Sequence, residues 1–345
     1  MALAAVCFSQ ARPTAGLDHF YNLEYGEAIA VFRAATTATP GDAGAWNRLA
    51  QAELYREMYR IGALESTLYG KSDDFLADKP LPPDPAAVAA FKDAEKQAEH
   101  LAGAALARDG NDAQAHYDLA VAYGLQGNFD FSVEKSYWSA LGDAKSARRE
   151  AEAAHKLRPG WVDPLLILGV QNYVSGSLPW SVKLFSKLVG YSGDKDKGLA
   201  QIAQVAEHGE HARTDAKVLL AVVDRRDGNN TAAAKLFAGL GQQYPRNFLF
   251  AVETGEAWEA AGDHDAARSA FRDILARADQ NAPGYAHAPR AQVWYDLGQI
   301  AALYSAWPEA LTDFQNAVSA PHAPAKYREA AEKAAAEAQQ HLNGN

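Results

Sequence analysis

Few stretches of this sequence combine residue types that could perform chemistry. His208-Gly-Glu-His211 brings two imidazoles and a carboxylate together, and histidines three residues apart share one face of a helix. A zinc site needs three or four ligands, and the H-E-x-x-H spacing is absent. We therefore interpret this stretch as a surface cluster at a helix end rather than as a metal site.

A second candidate is the S-x-x-K string from Ser192 to Lys195. Its S-D-N and K-T-G companions are missing, and we expect Asp194 to cap the helix that contains residues 198–207. The sequence also has no phosphate loop, dinucleotide fingerprint or nucleophile elbow. It therefore predicts no catalytic residue, no metal and no cofactor. An enzyme or metal-dependent protein with a site between the insertions described below is the alternative.

The charge balance limits the class of partner. The 345 residues include 33 Lys and Arg against 43 Asp and Glu, a formal net charge of −10. An acidic chain is repelled by a phosphate backbone, so we expect no non-specific binding of nucleic acid. No apolar run is long enough to cross a bilayer.

The first eleven residues, MALAAVCFSQA, are apolar and end in a small-x-small sequence. Residues 1–11 are therefore interpreted as a possible truncated signal peptide that lacks its basic start. The predicted localisation is periplasmic or secreted. If these residues instead form the first half-helix of the fold, the cytoplasm is the alternative. In either case residues 12–345 are predicted to form a single domain.

Residues 214–247 predict two helices joined by a tight turn. Apolar residues recur three to four apart on both sides of Asp227-Gly228-Asn229-Asn230, a turn sequence, and Pro245 ends the second stretch. Small Ala221 and Ala233 suit a close approach of two antiparallel helices, with Phe237 beside them. Neither helix can bury its apolar stripe alone, so this hairpin needs neighbours.

The same register returns along the chain. Counted from Thr214 as position 1, position 8 is small, while positions 20 and 24 are alanine and phenylalanine in several units. The units begin at or near Ser9, Ala43, Ala113, Val162, Thr214, Phe248 and Ala291. Seven units in one register are hard to obtain by chance. An alanine-rich bundle without regular stacking would not explain turn residues at fixed offsets.

This pattern resembles the tetratricopeptide repeat family, whose period is about 34 residues with W-x2-L-G-x2-Y, A-x3-F and P. The resemblance implies an all-α, right-handed superhelical solenoid of about seven helical hairpins, and a bacterial source is expected. Extra residues at about 55–90, 128–140 and 175–194 predict insertions in repeats two to four. A helix at about 325–342 is expected to cap the end.

The resemblance also implies a concave groove lined by the first helix of each hairpin. In that groove a non-catalytic scaffold would bind a peptide or protein segment. The predicted groove residues are Asn47, Gln51, Tyr55, Tyr117, Tyr173, Arg225, Arg226, Glu256 and Tyr295. Arg225 and Arg226 could serve an acidic ligand, or be two solvated charges near a helix end.

The insertions are rich in aromatic residues and are expected on one edge of the solenoid. The predicted residues of this insertion edge are Trp138, Trp180, Phe185 and Tyr191. They could pack on one another as a satellite core or form a second binding site. Residues 178–191 could also form an interfacial helix of a peripheral membrane adaptor, although their apolar residues do not keep to one face.

Overall fold

The computed structural model describes residues 14–64, 81–177 and 193–344. Within these ranges the chain forms fifteen helices and no strand. The helices are α1 (Thr14–Tyr21), α2 (Tyr25–Ala38), α3 (Ala43–Arg60), α4 (Pro85–Arg108), α5 (Ala113–Ser132), α6 (Tyr137–Leu157), α7 (Pro164–Ser177), α8 (Lys195–His208), α9 (Arg213–Arg226), α10 (Asn230–Gln243), α11 (Phe248–Ala260), α12 (His264–Asp279), α13 (Arg290–Leu303), α14 (Trp307–Ser319) and α15 (Ala325–Asn343).

These helices confirm the predicted all-α solenoid of helical hairpins. Helices adjacent in sequence pack together from α1 to α8 and again from α10 to α15, and the final helix α15 lies where a cap was expected. The chain divides into two compact units, residues 1–219 (unit 1) and 220–345 (unit 2), with the division inside α9. Among the described helices, none is both long and apolar enough to cross a membrane.

Several predictions concern residues outside the described ranges. The possible signal peptide, residues 1–11, is among them, so export stays a prediction. All of residues 178–191 also lie outside, and the aromatic residues Trp180, Phe185 and Tyr191 belong to this stretch. Their proposed roles at an insertion edge or a membrane surface stay predictions as well.

The described insertion residues lengthen helices. Helix α3 runs on to Arg60, and α5 continues through Ser132 before α6 begins at Tyr137. The residues at 128–140 therefore extend both helices of the third hairpin beyond a usual repeat helix, with four residues between them.

A contact between a glycine and a phenylalanine ring joins the two helices of several hairpins. A Cβ atom built on Gly255 of α11 would lie 2.4 Å from Cε1 of Phe271 of α12, and one on Gly298 would lie 2.5 Å from Cε1 of Phe314. Gly16 and Phe32 repeat this arrangement in the first hairpin. These pairs occupy positions 8 and 24 of their repeats, so the missing side chain admits the ring.

Acidic and amide side chains mark where many helices begin. The carboxylate of Asp112 accepts hydrogen bonds from the backbone N–H groups of Gln114 and Ala115. Asp194 caps α8 by accepting from the Lys197 N–H at 3.1 Å, which confirms the cap predicted there. Each such cap satisfies a donor that the first turn leaves unpaired.

We expect Gly255→Ala to lower the free energy of unfolding by about 1–3 kcal/mol, because the fully buried Phe271 ring has no room to move away. Gly239→Ala in α10 is the matched control. No atom lies within 4 Å of its Cβ position, so alanine should raise the stability of the helix by up to about 1 kcal/mol. Urea denaturation of both variants measures the difference, and changes of the same sign would contradict it.

Candidate functional site

Three of the predicted groove residues are buried inside unit 1. Asn47 is 4% exposed and donates its side-chain N–H to the Asp118 carbonyl at 2.8 Å. The Tyr117 ring, 8% exposed, lies 4.6 Å from the Trp161 ring. Tyr173 is 3% exposed. These side chains contribute to packing and offer little surface to a partner.

The remaining predicted groove residues of unit 1 lie near the start of α9. Asp215 accepts a hydrogen bond from Tyr21 at 2.9 Å and one from Gln51 at 3.5 Å. The Tyr55 ring lies 5.1 Å from that of Phe20. Burial raises the pKa of Asp215 to about 6, and the Tyr21 and Gln51 hydrogen bonds lower it. Two of these residues, Gln51 and Tyr55, are half-buried.

Unit 2 carries the more accessible polar surface. Glu253, Glu256 and Glu259 recur every three residues along one face of α11, and Asp296 lies on α13. We call these four residues the acidic wall. They interact with one another, since Glu256 and Glu259 both act on the Asp296 carboxyl.

Arg225, at the end of α9, forms ion pairs with Glu253 and Glu256 of the acidic wall. The interpretation of Arg225 as a solvated charge is therefore wrong, because its guanidinium is half-buried between two carboxylates. The same pairing makes it unsuited to hold an acidic ligand. Arg226 is exposed, as predicted for a helix-end charge.

The acidic wall has two carboxyl groups, Glu259 and Asp296, beyond the two that form ion pairs with Arg225. Burial raises the pKa of Asp296 well above its usual value, and the Glu256 and Glu259 carboxylates raise it further, while Arg225 lowers it. Burial also raises the pKa of Glu259, against the effects of His264 and Arg225. A carboxyl that is hard to ionise next to other carboxylates gains from an added cation.

Polar and aromatic side chains adjoin the acidic wall. The Gln292 side-chain N–H donates to Glu256, and the Gln299 side chain donates to the Tyr295 hydroxyl. The Tyr295 ring lies 5.8 Å from Phe314 and 6.1 Å from Tyr327 of α15. The predicted residues Glu256 and Tyr295 thus lie on adjacent helices of one unit.

Sequence reasoning missed Glu253, Gln292 and Asp296. The predicted groove residues were taken from the repeat positions that line the groove in the family. Repeat position 6 was not one of those positions. Yet position 6 is acidic in three units, as Asp118, Glu253 and Asp296. That recurrence was a usable signal.

The stretch His208 to His211 has a structural role. The backbone N–H groups of Glu210, His211 and Ala212 donate to the fully buried Asp163 carboxylate, at 3.1, 2.8 and 2.7 Å. The indole N–H of Trp161 donates to the same carboxylate at 2.7 Å. Among residues 14–64, 81–177 and 193–344, no group of three or more His, Cys, Asp or Glu side chains is placed to hold a metal ion.

The described part of the predicted insertion edge is solvent-accessible. Trp138, on the first turn of α6, is 87% exposed. Tyr137 and Phe131 are also exposed, and their rings meet edge to face at 5.5 Å. This end of α6 thus presents large apolar side chains to solvent.

Arg225→Met is expected to lower the free energy of unfolding by about 1–3 kcal/mol, because Glu253 and Glu256 lose charge-assisted hydrogen bonds and repel each other. In the control, Arg272→Met removes an exposed pair with Glu309 at 2.9 Å, and the change should stay below about 1 kcal/mol. Thermal unfolding compares the two. Equal losses would show that the Arg225 pairing is only a surface contact.

Comparisons with known proteins find one repeat family in two stretches of the chain. A family model described as tetratricopeptide repeat matches residues 14–57 and 218–283, whereas no curated protein matches the sequence. A tetratricopeptide repeat protein from Parabacteroides merdae is 14% identical, with 94% of this chain and 96% of that chain covered and a TM-score of 0.33. Yeast Tom70 is 12% identical, with 95% and 88% covered and a TM-score of 0.30. Residues 14–57 and 218–283 therefore have the sequence of tetratricopeptide repeats.

Proposed function

We propose that this protein is a non-catalytic protein-binding scaffold, and that unit 2 binds a partner segment carrying lysine or arginine side chains. The acidic wall is the observation that supports the proposal. Its four carboxyl groups lie on two successive first helices of hairpins, the surface that repeat proteins of this class present to partners.

The wall favours a cationic partner for a physical reason. Burial raises the pKa values of Asp296 and Glu259. The carboxylates of Glu256 and Glu259 raise the pKa of Asp296 further. An ammonium or guanidinium group brought by a partner would stabilise their charged forms. Arg225 already occupies such a position between Glu253 and Glu256, and it shows that the wall accommodates a guanidinium.

The neighbouring groups suit an extended peptide. Gln292 and Gln299 supply amide donors and acceptors, and Tyr295 supplies a half-buried ring between them along α13. Amides can hydrogen-bond a peptide backbone, while the ring contacts apolar or cationic side chains.

The test uses a fluorescein-labelled peptide of alternating lysine and alanine, with an alternating glutamate and alanine peptide for comparison. We expect the full-length protein to bind the basic peptide alone, more weakly as salt rises. The variant Glu259→Gln with Asp296→Asn keeps side-chain shape and removes two carboxyl groups. Its affinity for the basic peptide should fall about fivefold, at roughly 1 kcal/mol for the two groups together.

A matched control distinguishes the effect of the acidic wall from the effect of the protein's overall negative charge. Glu329→Gln with Glu337→Gln removes two exposed charges from α15 in the same unit. This control should bind the basic peptide as the unmodified protein does. An equal loss in both double variants, or equal binding of both peptides, would refute the proposed role of the wall.

A further inference from the structure

A second group of carboxyls lies in unit 1, apart from the acidic wall. Glu95 and Glu99 occupy one face of α4, Asp130 belongs to α5, and Asp143 belongs to α6. Glu95 is only 5% exposed and Asp130 only 3%, whereas Glu99 and Asp143 are half-buried. Four carboxyls from three helices therefore lie where α5 packs against α4 on one side and α6 on the other.

A close approach of two helices places Asp143 beside Asp130. A Cβ atom on Gly127 of α5 would lie 3.3 Å from Cβ of Asp143 and 3.4 Å from the Ala140 carbonyl oxygen of α6. Because glycine lacks that atom, α6 lies tightly against α5 at the level of the carboxyl cluster. The position of Asp143 is thus set by backbone packing.

The hydrogen bonds within the cluster need a proton. Asp130 raises the pKa of Asp143 through its charge and through a side-chain hydrogen bond, and Gln126 donates to Oδ1 of Asp130 at 2.7 Å. Two carboxylates repel each other, but a carboxylic acid can donate to a carboxylate. Oδ2 of Asp143 is buried, and no described group hydrogen-bonds to it.

Glu95 adds a second buried carboxyl. Within the described part of the chain it has no hydrogen-bond or ion-pair partner. Burial raises its pKa to about 7, with further raising by Glu99, Asp143 and Asp130 and lowering by the exposed Lys96. Burial likewise raises the pKa of Asp143 to about 6, helped by Asp130 and Glu99.

The other charged and titratable groups nearby have partners of their own. Lys92 of α4 pairs with Glu134 at 2.6 Å and lies over the Phe129 ring. Tyr123 of α5 donates its hydroxyl proton to Glu99 at 3.2 Å. Among the described residues the cluster therefore has no buried cation beside it, and a proton is the counter-charge that its geometry accommodates.

We propose that these four carboxyls form a proton-dependent latch, which holds α6 against α4 and α5 when protonated and loosens α6 when its protons are lost. The latch adds a control to unit 1 and does not depend on the function proposed for unit 2. Its mobile element, α6, carries the exposed Tyr137 and Trp138, so the latch governs how firmly that apolar surface is held.

The direction of the pH dependence follows from proton linkage. Folded Glu95 keeps its proton up to about pH 7, whereas an unfolded glutamate loses it near pH 4.5. The folded state thus binds more protons between these values, so the stability that the cluster contributes falls as pH rises. The contribution is fully present below the unfolded pKa and is lost by about pH 7.

Hydrogen exchange of the full-length protein tests the latch, after correction for the intrinsic pH dependence of exchange. Between about pH 5 and pH 8 we expect the opening equilibrium constant of α6 amides to rise on the order of 10- to 100-fold, while that of α10, which carries no carboxyl group, does not. Glu95→Gln with Asp143→Asn should abolish most of this rise, and Glu134→Gln, outside the cluster, should preserve it.

Two outcomes would overturn the proposal. One is an α6 that opens no more at the higher pH than α10 does. The other is an α6 response in the double variant equal to that of the unmodified protein. If the double variant fails to fold, Glu95→Gln alone carries the test, since it removes the carboxyl with the most raised pKa and leaves the Asp130–Asp143 contact in place.

Discussion

The fold depends on a contact that recurs between the two helices of a hairpin, in which a phenylalanine ring packs against a glycine. In the first, sixth and seventh hairpins the rings of Phe32, Phe271 and Phe314 contact Gly16, Gly255 and Gly298. All three rings are buried. Since each hairpin buries only part of its apolar surface, this contact fixes the spacing of two helices before neighbours cover them. The wall on α11 and α13 and the carboxyls between α4, α5 and α6 are placed by such close helix packing.

Local sequence features predicted much of this architecture, because they act over a few residues. The turn at Gly228, the helix beginning after Asp194 and the hairpin with buried Ala233 and Phe237 are all present. The candidate site was harder, because it depends on side chains that meet across helices. The pairing of Arg225 with Glu253 and Glu256 has no signature in either helix alone. The burial of Tyr117 against Trp161 likewise depends on where successive hairpins turn.

Much of the acidic character of this chain is internal. Glu95, Asp118, Asp143, Asp215 and Asp296 each have a pKa raised first by burial. The groups that surround these buried carboxyls differ from one carboxyl to the next. Asp215 accepts from Tyr21 and Gln51, Asp143 meets another carboxyl, and Asp296 lies beside Glu256 and Glu259. A polar environment stabilises the first, a shared proton suits the second, and a cation from a partner suits the third.

The hydrogen bonds of Asp215 have a consequence for how unit 1 comes apart. Tyr21 lies 194 residues before Asp215 in the sequence. A linear array of repeats has contacts only between neighbours and can fray from either end. The hydrogen bond between Tyr21 of α1 and Asp215 of α9 joins residues that are far apart in the sequence. Forming it closes a correspondingly large loop. The terminal hairpin of unit 1 is therefore coupled to helices far along the chain, and its loss exposes a half-buried carboxylate at the start of α9.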